Sequence, residues 1–299
     1  MIRIAITGAS GQVGSELQEC AWPSGFVVKA FDHSDLDIAN PAEVLNRLAP
    51  PLNVVINLAA YTAVDRAETD LDEAWKANAE GLAVLAEHCA VHKMPLLHLS
   101  TDYVFAGLAS RPYVEEDEVG PLNAYGESKL AGEMAIRRRL REHLVIRTSS
   151  VFGATGTNFV RSMLRLAAER SVLKVVDDQI ACPTSARDIA EMIVILLTRM
   201  RESRATMPWG TYHYCGRPAV SWFGLARKIF DIAADCGMRP PTLLPIPAAQ
   251  FPSAARRPAY SAMNCHKISQ NFGIGSPYWM GPLADVVRAL ISEGITHVQ

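Results

Sequence analysis

Tyr125 and Lys129, in Tyr125-Gly126-Glu127-Ser128-Lys129, are spaced so that a helix would carry both on one face. A free tyrosine ionises near ~10, too high to exchange a proton easily at neutral pH. A nearby ammonium favours the phenolate and would draw that value toward the working range, which suits the pair to general acid–base chemistry. The same spacing also describes an ordinary exposed helix contact. Upstream, the apolar run Leu96–Leu99 leads into Ser100-Thr101-Asp102-Tyr103-Val104-Phe105. A hydroxyl at the carboxyl end of a central strand faces the ligand crevice, where it can bond a carbonyl about to receive a hydride. Thr101 is the candidate, and Ser100 is the neighbour that could replace it.

A hydride needs a carrier, and the chain opens on a pattern that could hold one. Gly8-Ala9-Ser10-Gly11-Gln12-Val13-Gly14 directly follows the first apolar run. In such a turn Gly8 lets the chain reverse tightly, Gly11 lets a diphosphate approach the backbone, and Gly14 lets the next helix pack on the strand. The helix N-terminus then presents free N–H groups and a partial positive charge to the phosphates. The spacing is Gly-x-x-Gly-x-x-Gly rather than Gly-x-Gly-x-x-Gly. Asp32 closes the second apolar run, where a carboxylate can bond the adenosine ribose hydroxyls. It would repel a 2′-phosphate, and no Arg follows it, so NADH should be accepted; NADPH stays open beside it. Asp37 and Ile38 could bracket the adenine, or serve as a loop cap and a core residue.

These residues need a frame. Ile2–Ile6, Phe26–Phe31, Val54–Leu58, Leu96–Ser100 and Leu144–Thr148 are short apolar runs with almost no polar alternation, the pattern of buried parallel strands. Between them Gly14–Cys20, Pro41–Leu48, Leu71–His92 and Tyr125–Arg141 carry helical spacing. Strand and helix alternating without hairpin signals predicts an α/β fold, a Rossmann-type doubly wound parallel sheet. Beyond about residue 152 prolines become denser and clean alternation is lost, although Phe159–Glu169, Ala186–Met200, Trp222–Cys236 and Leu283–Ser292 still read as helices. Residues 1–152 are therefore expected to form a dinucleotide-binding domain, to which the chain could return within about 173–215. Residues 153–299 would mainly form a smaller, irregular substrate-binding domain against the carboxyl edge of the sheet.

Composition excludes several classes. With 49% hydrophobic and 20% charged residues the chain is too apolar to remain disordered. A formal charge of −2 argues against nucleic acid, which needs a basic surplus, and Arg137, Arg138, Arg139 and Arg141 read as a solvated helix face. No run approaches the ~20 apolar residues of a membrane helix, and Met1–Thr7 turns straight into glycines, unlike a signal peptide. The six cysteines contain no Cys-x-x-Cys pair and are expected to be reduced thiols of a cytoplasmic protein. His88 and His92 share a helical face, but no third ligand completes a metal set. Trp222, Leu225, Ile229 and Phe230 form a stripe expected in a core, and Tyr278 and Trp279 would pack the second domain or cover a substrate.

Taken together, these segments resemble a known family. Gly8–Gly14, Asn57–Asp65, Ser100–Phe105, Pro121–Glu133 and Arg147–Ser149 occur in the order found in the extended short-chain dehydrogenase/reductases, and among them the dTDP-4-dehydrorhamnose reductases. Asn158-Phe159, Asp178-Gln179, Pro183-Thr184 and Ala255–Pro258 extend the resemblance over nearly the whole chain. It implies NADPH- or NADH-dependent reduction of the C4 ketone of dTDP-4-dehydro-β-L-rhamnose. By position it makes Tyr125 the proton donor and Lys129 its tuning and cofactor-binding partner, while Thr101 polarises the sugar carbonyl beside Asp102. Ser10, Gly11, Gln12 and Val13 would hold the diphosphate, and Ala60, Tyr61, Thr62 and Leu99 would line the cofactor site. Asn158 and Arg257 would meet the sugar and diphosphate of the substrate, the latter through bidentate phosphate contact.

Two departures stand out. Ser150 occupies a substrate-pocket position where the family usually has Trp, so one aromatic wall is missing. Arg187 stands where some members carry a metal-binding Glu at a dimer contact, although Glu16 and Glu293 remain, so no bridging magnesium is expected. A homodimer is compatible with the resemblance. Rival readings are a nucleotide-sugar 4,6-dehydratase, a 4-epimerase, or a partner-binding relative such as the regulatory β subunit of methionine adenosyltransferase. A dehydratase would carry Asp-Glu after the Thr, where this chain has Asp102-Tyr103. Retention of Thr101, Tyr125 and Lys129 together speaks against a purely binding role.

Overall fold

Apolar runs with both faces covered assemble into one parallel sheet, seen in a computed structural model that describes residues 1–294. The first half runs β1 (Ile2–Thr7), α1 (Gln12–Glu19), β2 (Phe26–Phe31), α2 (Pro41–Arg47), β3 (Val54–Asn57), α3 (Leu71–Trp75), α4 (Gly81–Val91), β4 (Leu96–Thr101), α5 (Ala124–Arg139) and β5 (His143–Thr148). The second half adds β6 (Val151–Phe152), α6 (Phe159–Glu169), β7 (Val172–Val176), β8 (Ile180–Ala181), β9 (Thr184–Ser185), α7 (Ala186–Ser203), β10 (Gly210–His213), β11 (Val220–Ser221), α8 (Trp222–Asp235), β12 (Thr242–Ile246), α9 (His266–Phe272) and α10 (Met280–Ser292).

Six strands lie in the order β2-β1-β3-β4-β5-β10, every pair parallel. The pleat sends alternate residues to opposite faces. Ile4, Ile6, Val54, Ile56, Leu97, Leu144 and Ile146 meet Val13 and Leu17 of α1 and Ile189, Ile193 and Leu196 of α7. Ala5, Val55, Leu96 and Val145 meet Val44 of α2, Leu82 and Leu85 of α4, and Ile136 of α5. With both faces covered, polar alternation is absent from the sequence. The winding reverses between β1 and β3, and their carboxyl ends open the crevice where such sheets take ligands.

The helix expected over Leu71–His92 is instead three pieces, with a wider π-type turn at Lys76–Glu80 between α3 and α4. Within that turn buried Asn78 accepts from Tyr61 N–H and donates to the Tyr61 carbonyl and to Ser128 Oγ. The turn thereby ties the loop after β3 to α5.

The second half builds its own core, in which Phe152, Val160, Leu164, Leu225, Ile229, Phe230, Trp279, Leu283 and Val287 pack together. The chain nevertheless returns to the main sheet through α7 and β10. Trp279 is buried and donates its indole N–H to the Pro218 carbonyl, whereas Tyr278 is exposed beneath the Arg217 guanidinium. His88 is bonded to the Leu48 carbonyl, and no group of three metal-ligating side chains occurs among the described residues. No helix among them is long and apolar enough to cross a membrane.

Candidate functional site

Three loops converge above β1 and β3. Gly8 has φ +72°, and a Cβ there would lie 2.4 Å from Ala59 N. A Cβ on Gly14 would lie 2.4 Å from the Gly8 carbonyl oxygen. Neither backbone atom can yield, so only glycine brings strand, turn and helix this close. Helix α1 starts at Gln12 behind Gly11 with no side-chain cap, which leaves its first N–H groups available to an anion.

A cleft of about 620 Å³ runs from this turn to α5. Gly8, Ser10, Gly11, Gln12, Val13, Gly14, Asp37, Ile38, Ala60, Tyr61, Thr62, Leu99, Tyr125 and Lys129 all line it. The buried Thr148 Oγ1 lines it too and has no hydrogen-bond partner among the described residues. A glycine cradle, a free helix N-terminus and an unspent hydroxyl at the far end fit a nicotinamide dinucleotide.

Asp32 is not among the cleft residues. Its Oδ1 accepts from Ser34 N at 2.8 Å, Ser34 Oγ at 2.7 Å and Asp35 N at 3.1 Å, so one oxygen of the carboxylate expected on the ribose caps its own turn. His33 and Lys76 line the cleft there. Lys76 Nζ stands 3.0 Å from the Asp37 carboxylate. Burial alone would raise Asp37, but the Ala39 N–H and Lys76 outweigh it and hold the group below the usual carboxylate range.

At the other end, Asn123 caps α5 by accepting from Gly126 N–H, and its amide donates to the Arg256 carbonyl. Tyr125 follows at the cleft wall. Lys129, one turn on, is 2% exposed, which removes the reading of a surface contact. Its Nζ donates to the Leu99 carbonyl at 2.6 Å and lies 3.1 Å from His98 Nε2. The expected drawing down of Tyr125 by an ammonium is corrected here. Burial pushes Tyr125 up to about 12, only partly offset by the Thr101 hydroxyl, and burial brings Lys129 down to about 7. Withdrawal from water penalises both charged forms more than neighbours favour them.

Thr101 Oγ1 accepts from Tyr103 N–H at 3.1 Å and donates to Asp102 Oδ1 at 3.2 Å. Asp102 also accepts from Ser149 Oγ at 2.7 Å and Ser261 Oγ at 2.5 Å, and burial still raises it to about 6. It is enclosed and holds Thr101. Ser100, the alternative to Thr101, donates to Glu133 Oε1 at 2.6 Å.

The residues expected on the substrate are engaged locally. Asn158 caps α6 and donates to Gln12 Oε1 and the Gly153 carbonyl. Arg257 pairs with Asp65. Ser150 adopts φ +45° with its hydroxyl 3.5 Å from Ser149 Oγ. None of Thr101, Asp102, Ser150, Asn158 and Arg257 lines the cleft, whereas Ser100, the neighbour of Thr101, does. Arg187 pairs with Glu191 on the exposed face of α7. Sequence reasoning missed His98, Asp65, Ser149, Ser261 and Lys76. A single histidine inside the apolar run Leu96–Leu99 was the visible signal for the first.

Residues 2–292 match the family described as RmlD substrate binding domain. A protein of Sinorhizobium fredii named dTDP-4-dehydrorhamnose reductase is 39% identical over 98% of this chain and 99% of its own. A crystal structure of a dTDP-4-dehydrorhamnose reductase from Clostridium acetobutylicum superposes with a TM-score of 0.88, at 35% identity over 97% of this chain and 100% of that one. That of dTDP-4-dehydrorhamnose reductase from Bacillus anthracis, in complex with NADP, gives 0.87 at 36% identity, over 96% and 99%.

Proposed function

Because this chain belongs to the family of dTDP-4-dehydrorhamnose reductases, we propose that its cleft reduces the C4 ketone of a dTDP-linked 4-dehydrorhamnose through the side chains assigned above. The enzyme is an NAD(P)H-dependent oxidoreductase of nucleotide-sugar metabolism. Bound NADPH or NADH supplies the hydride to C4. The observation that carries the assignment of roles is that Tyr125 and Lys129 line the same cleft as the Gly8–Gly14 turn.

Tyr125 keeps its proton at neutral pH because it is buried, and so it is a loaded donor for the C4 oxygen as charge develops there. One proton and one hydride convert the ketone to an alcohol, and the phenolate left on Tyr125 must be reprotonated. Thr101, fixed by Asp102 and Tyr103 N–H, bonds the carbonyl oxygen and aligns it. The Gly11–Val13 backbone holds the diphosphate of the cofactor. Arg257, presented by the turn that Asp65 anchors, meets the diphosphate of the substrate. We place the reaction in the cytoplasm, where reduced nicotinamide cofactors are supplied.

The test is NADPH and NADH oxidation in the presence of dTDP-4-dehydrorhamnose generated in situ, with the product identified as dTDP-L-rhamnose. Cofactor binding without oxidation would overturn the assignment, and a different 4-keto nucleotide sugar would then be sought because of Ser150.

A further inference from the structure

Three cysteines far apart in the sequence meet in one place, and the chemistry above gives them no task. Cys182 lies between β8 and β9, Cys215 just beyond β10, and Cys265 directly before α9. All three are buried. The Cys215 and Cys265 sulfurs stand 3.6 Å apart, in van der Waals contact. The Cys215 N–H also points at Cys265 Sγ, at 3.2 Å. Carbonyls within reach lie no nearer than the sulfurs themselves: Met263 O at 3.6 Å from Cys215 Sγ and Cys215 O at 3.8 Å from Cys265 Sγ. A disulfide brings its sulfurs to about 2.05 Å, so about 1.5 Å of closing separates this contact from a bond.

The two thiols are not equivalent. Donation from the Cys215 thiol, then from the Cys215 N–H and the Ser276 hydroxyl, holds Cys265 below the ordinary thiol value against burial and the Glu115 carboxylate. Cys215, donating toward Cys182 and Cys265 and sealed from water, is pushed well above it. The thiolate is the form that attacks an oxidant, so Cys265 is the nucleophile and Cys215 keeps its proton. Cys265 is also 8% exposed, against 1% for Cys215. That opening suits an oxidant as small as a peroxide and leaves no room for a peptide-sized disulfide.

We propose that Cys265 and Cys215 are a peroxide-responsive modification site that closes to an intramolecular disulfide. The Cys265 thiolate attacks one peroxide oxygen, the O–O bond breaks, and a sulfenic acid and hydroxide form. The Cys215 sulfur then attacks Cys265 Sγ. The S–S bond forms, the S–O bond breaks, and the hydroxyl leaves with the Cys215 proton as water. The hydroxide of the first step takes the proton that Cys265 gave up. Two thiols thus lose two electrons and two protons, and one peroxide becomes two waters. A thiol reductant reverses the bond by exchange.

The pair stands at the neck of a long excursion. Between residues 215 and 265, a separation of 50, the chain makes β11, α8 and β12. Cys265 follows the segment in which Ser261 donates to Asp102 and Met263 pairs with Tyr113. The bond staples this segment to the end of β10 and closes the excursion, which removes freedom from the unfolded chain.

The experiment uses the full chain carrying Cys236→Ser, because that exposed thiol would link separate copies. Reduced protein is treated briefly with hydrogen peroxide, alkylated in denaturant and mapped by mass spectrometry. Of the five remaining thiols two should be lost, with the Cys215 and Cys265 peptides joined and dithiothreitol restoring both. Five intact thiols, or a bridge from Cys215 to Cys182, overturns the proposal. Adding Cys182→Ser should leave the bridge in place, and adding Cys265→Ser should abolish it; the reverse pattern overturns the proposal. The oxidised protein should melt about 3 °C or more above the reduced one, a gain absent from Cys265→Ser. An equal or lower melting temperature overturns the staple.

Discussion

The Arg257 guanidinium meets the Asp65 carboxylate at two points, Nη1 to Oδ1 at 3.1 Å and Nη2 to Oδ2 at 2.7 Å. Asp65 Oδ1 also accepts from Ser253 Oγ at 2.8 Å and Ala255 N–H at 3.0 Å. One carboxylate thus anchors the whole turn that presents Arg257. In Asp65→Asn the arginine loses its counter-charge and the turn loses an anchor. We expect the KM for the nucleotide sugar to rise about tenfold, with kcat changed by less than about threefold. Steady-state kinetics with substrate varied at saturating NADPH checks this.

Tyr125→Phe removes the donated proton and leaves the ring. Turnover should fall by about 10²–10⁴-fold, the range for loss of a general acid. The dissociation constant for NADPH should stay within about twofold, measured by fluorescence titration.

Asp102 gives turnover an acid limb. Burial pushes its carboxyl up to about 6, and below that pH a fourth proton enters a nest already fed by Thr101, Ser149 and Ser261. One hydroxyl must then turn away, and Thr101 is the one that matters for catalysis. We expect kcat to drop with a single ionisation near about 6, and Asp102→Asn to lower the plateau and flatten that limb. For stability the sign is opposite. A folded-state value above the unfolded one means that the folded protein binds the proton more tightly, so this group adds stability as pH falls from about 7 to about 4.

Glu133 and Arg147 are an ion pair with almost no solvent access, 2.8 Å between Nη2 and Oε2. Glu133→Ala leaves the arginine charged and enclosed against the Phe105 ring. Removing one partner of such a pair costs about 3–5 kcal/mol, which urea unfolding would read directly.

Lys76 lines the cleft beside His33 and Asp37, and we propose that it faces the adenosine ribose of the cofactor. Lys76→Ala should raise the KM for NADPH about tenfold and that for NADH less than about twofold, because only the former carries a 2′-phosphate to lose a charge-assisted contact. Equal effects on both would remove Lys76 from cofactor discrimination.

The strands were legible because burial on both faces forces uninterrupted apolar runs, and the Gly8–Gly14 turn because sterics permit no other residue at Gly8 and Gly14. Tyr125 and Lys129 were legible through their spacing. What spacing cannot show is burial, which decides the proton count on both side chains. Nor can it show partners distant in the chain. That Ser34 and Asp35 take one oxygen of Asp32 was not visible, because both are ordinary turn residues until the turn is formed. Asp65 and Arg257 lie in separate segments of the sequence, and only the folded chain joins them.

Strand β10 is contributed by the second half of the chain, yet it seals the edge of β5 in the sheet that carries Thr101 and to which Lys129 of α5 is bonded. Helix α7 likewise packs on α1, whose first turn lines the cleft. The two halves are therefore interlaced rather than hinged units. A gene cut after residue 152 would leave a bare, apolar strand edge prone to self-pairing. Exchange of substrate specificity between relatives by recombination must then splice around α7 and β10, keeping them with the parent that supplies the sheet.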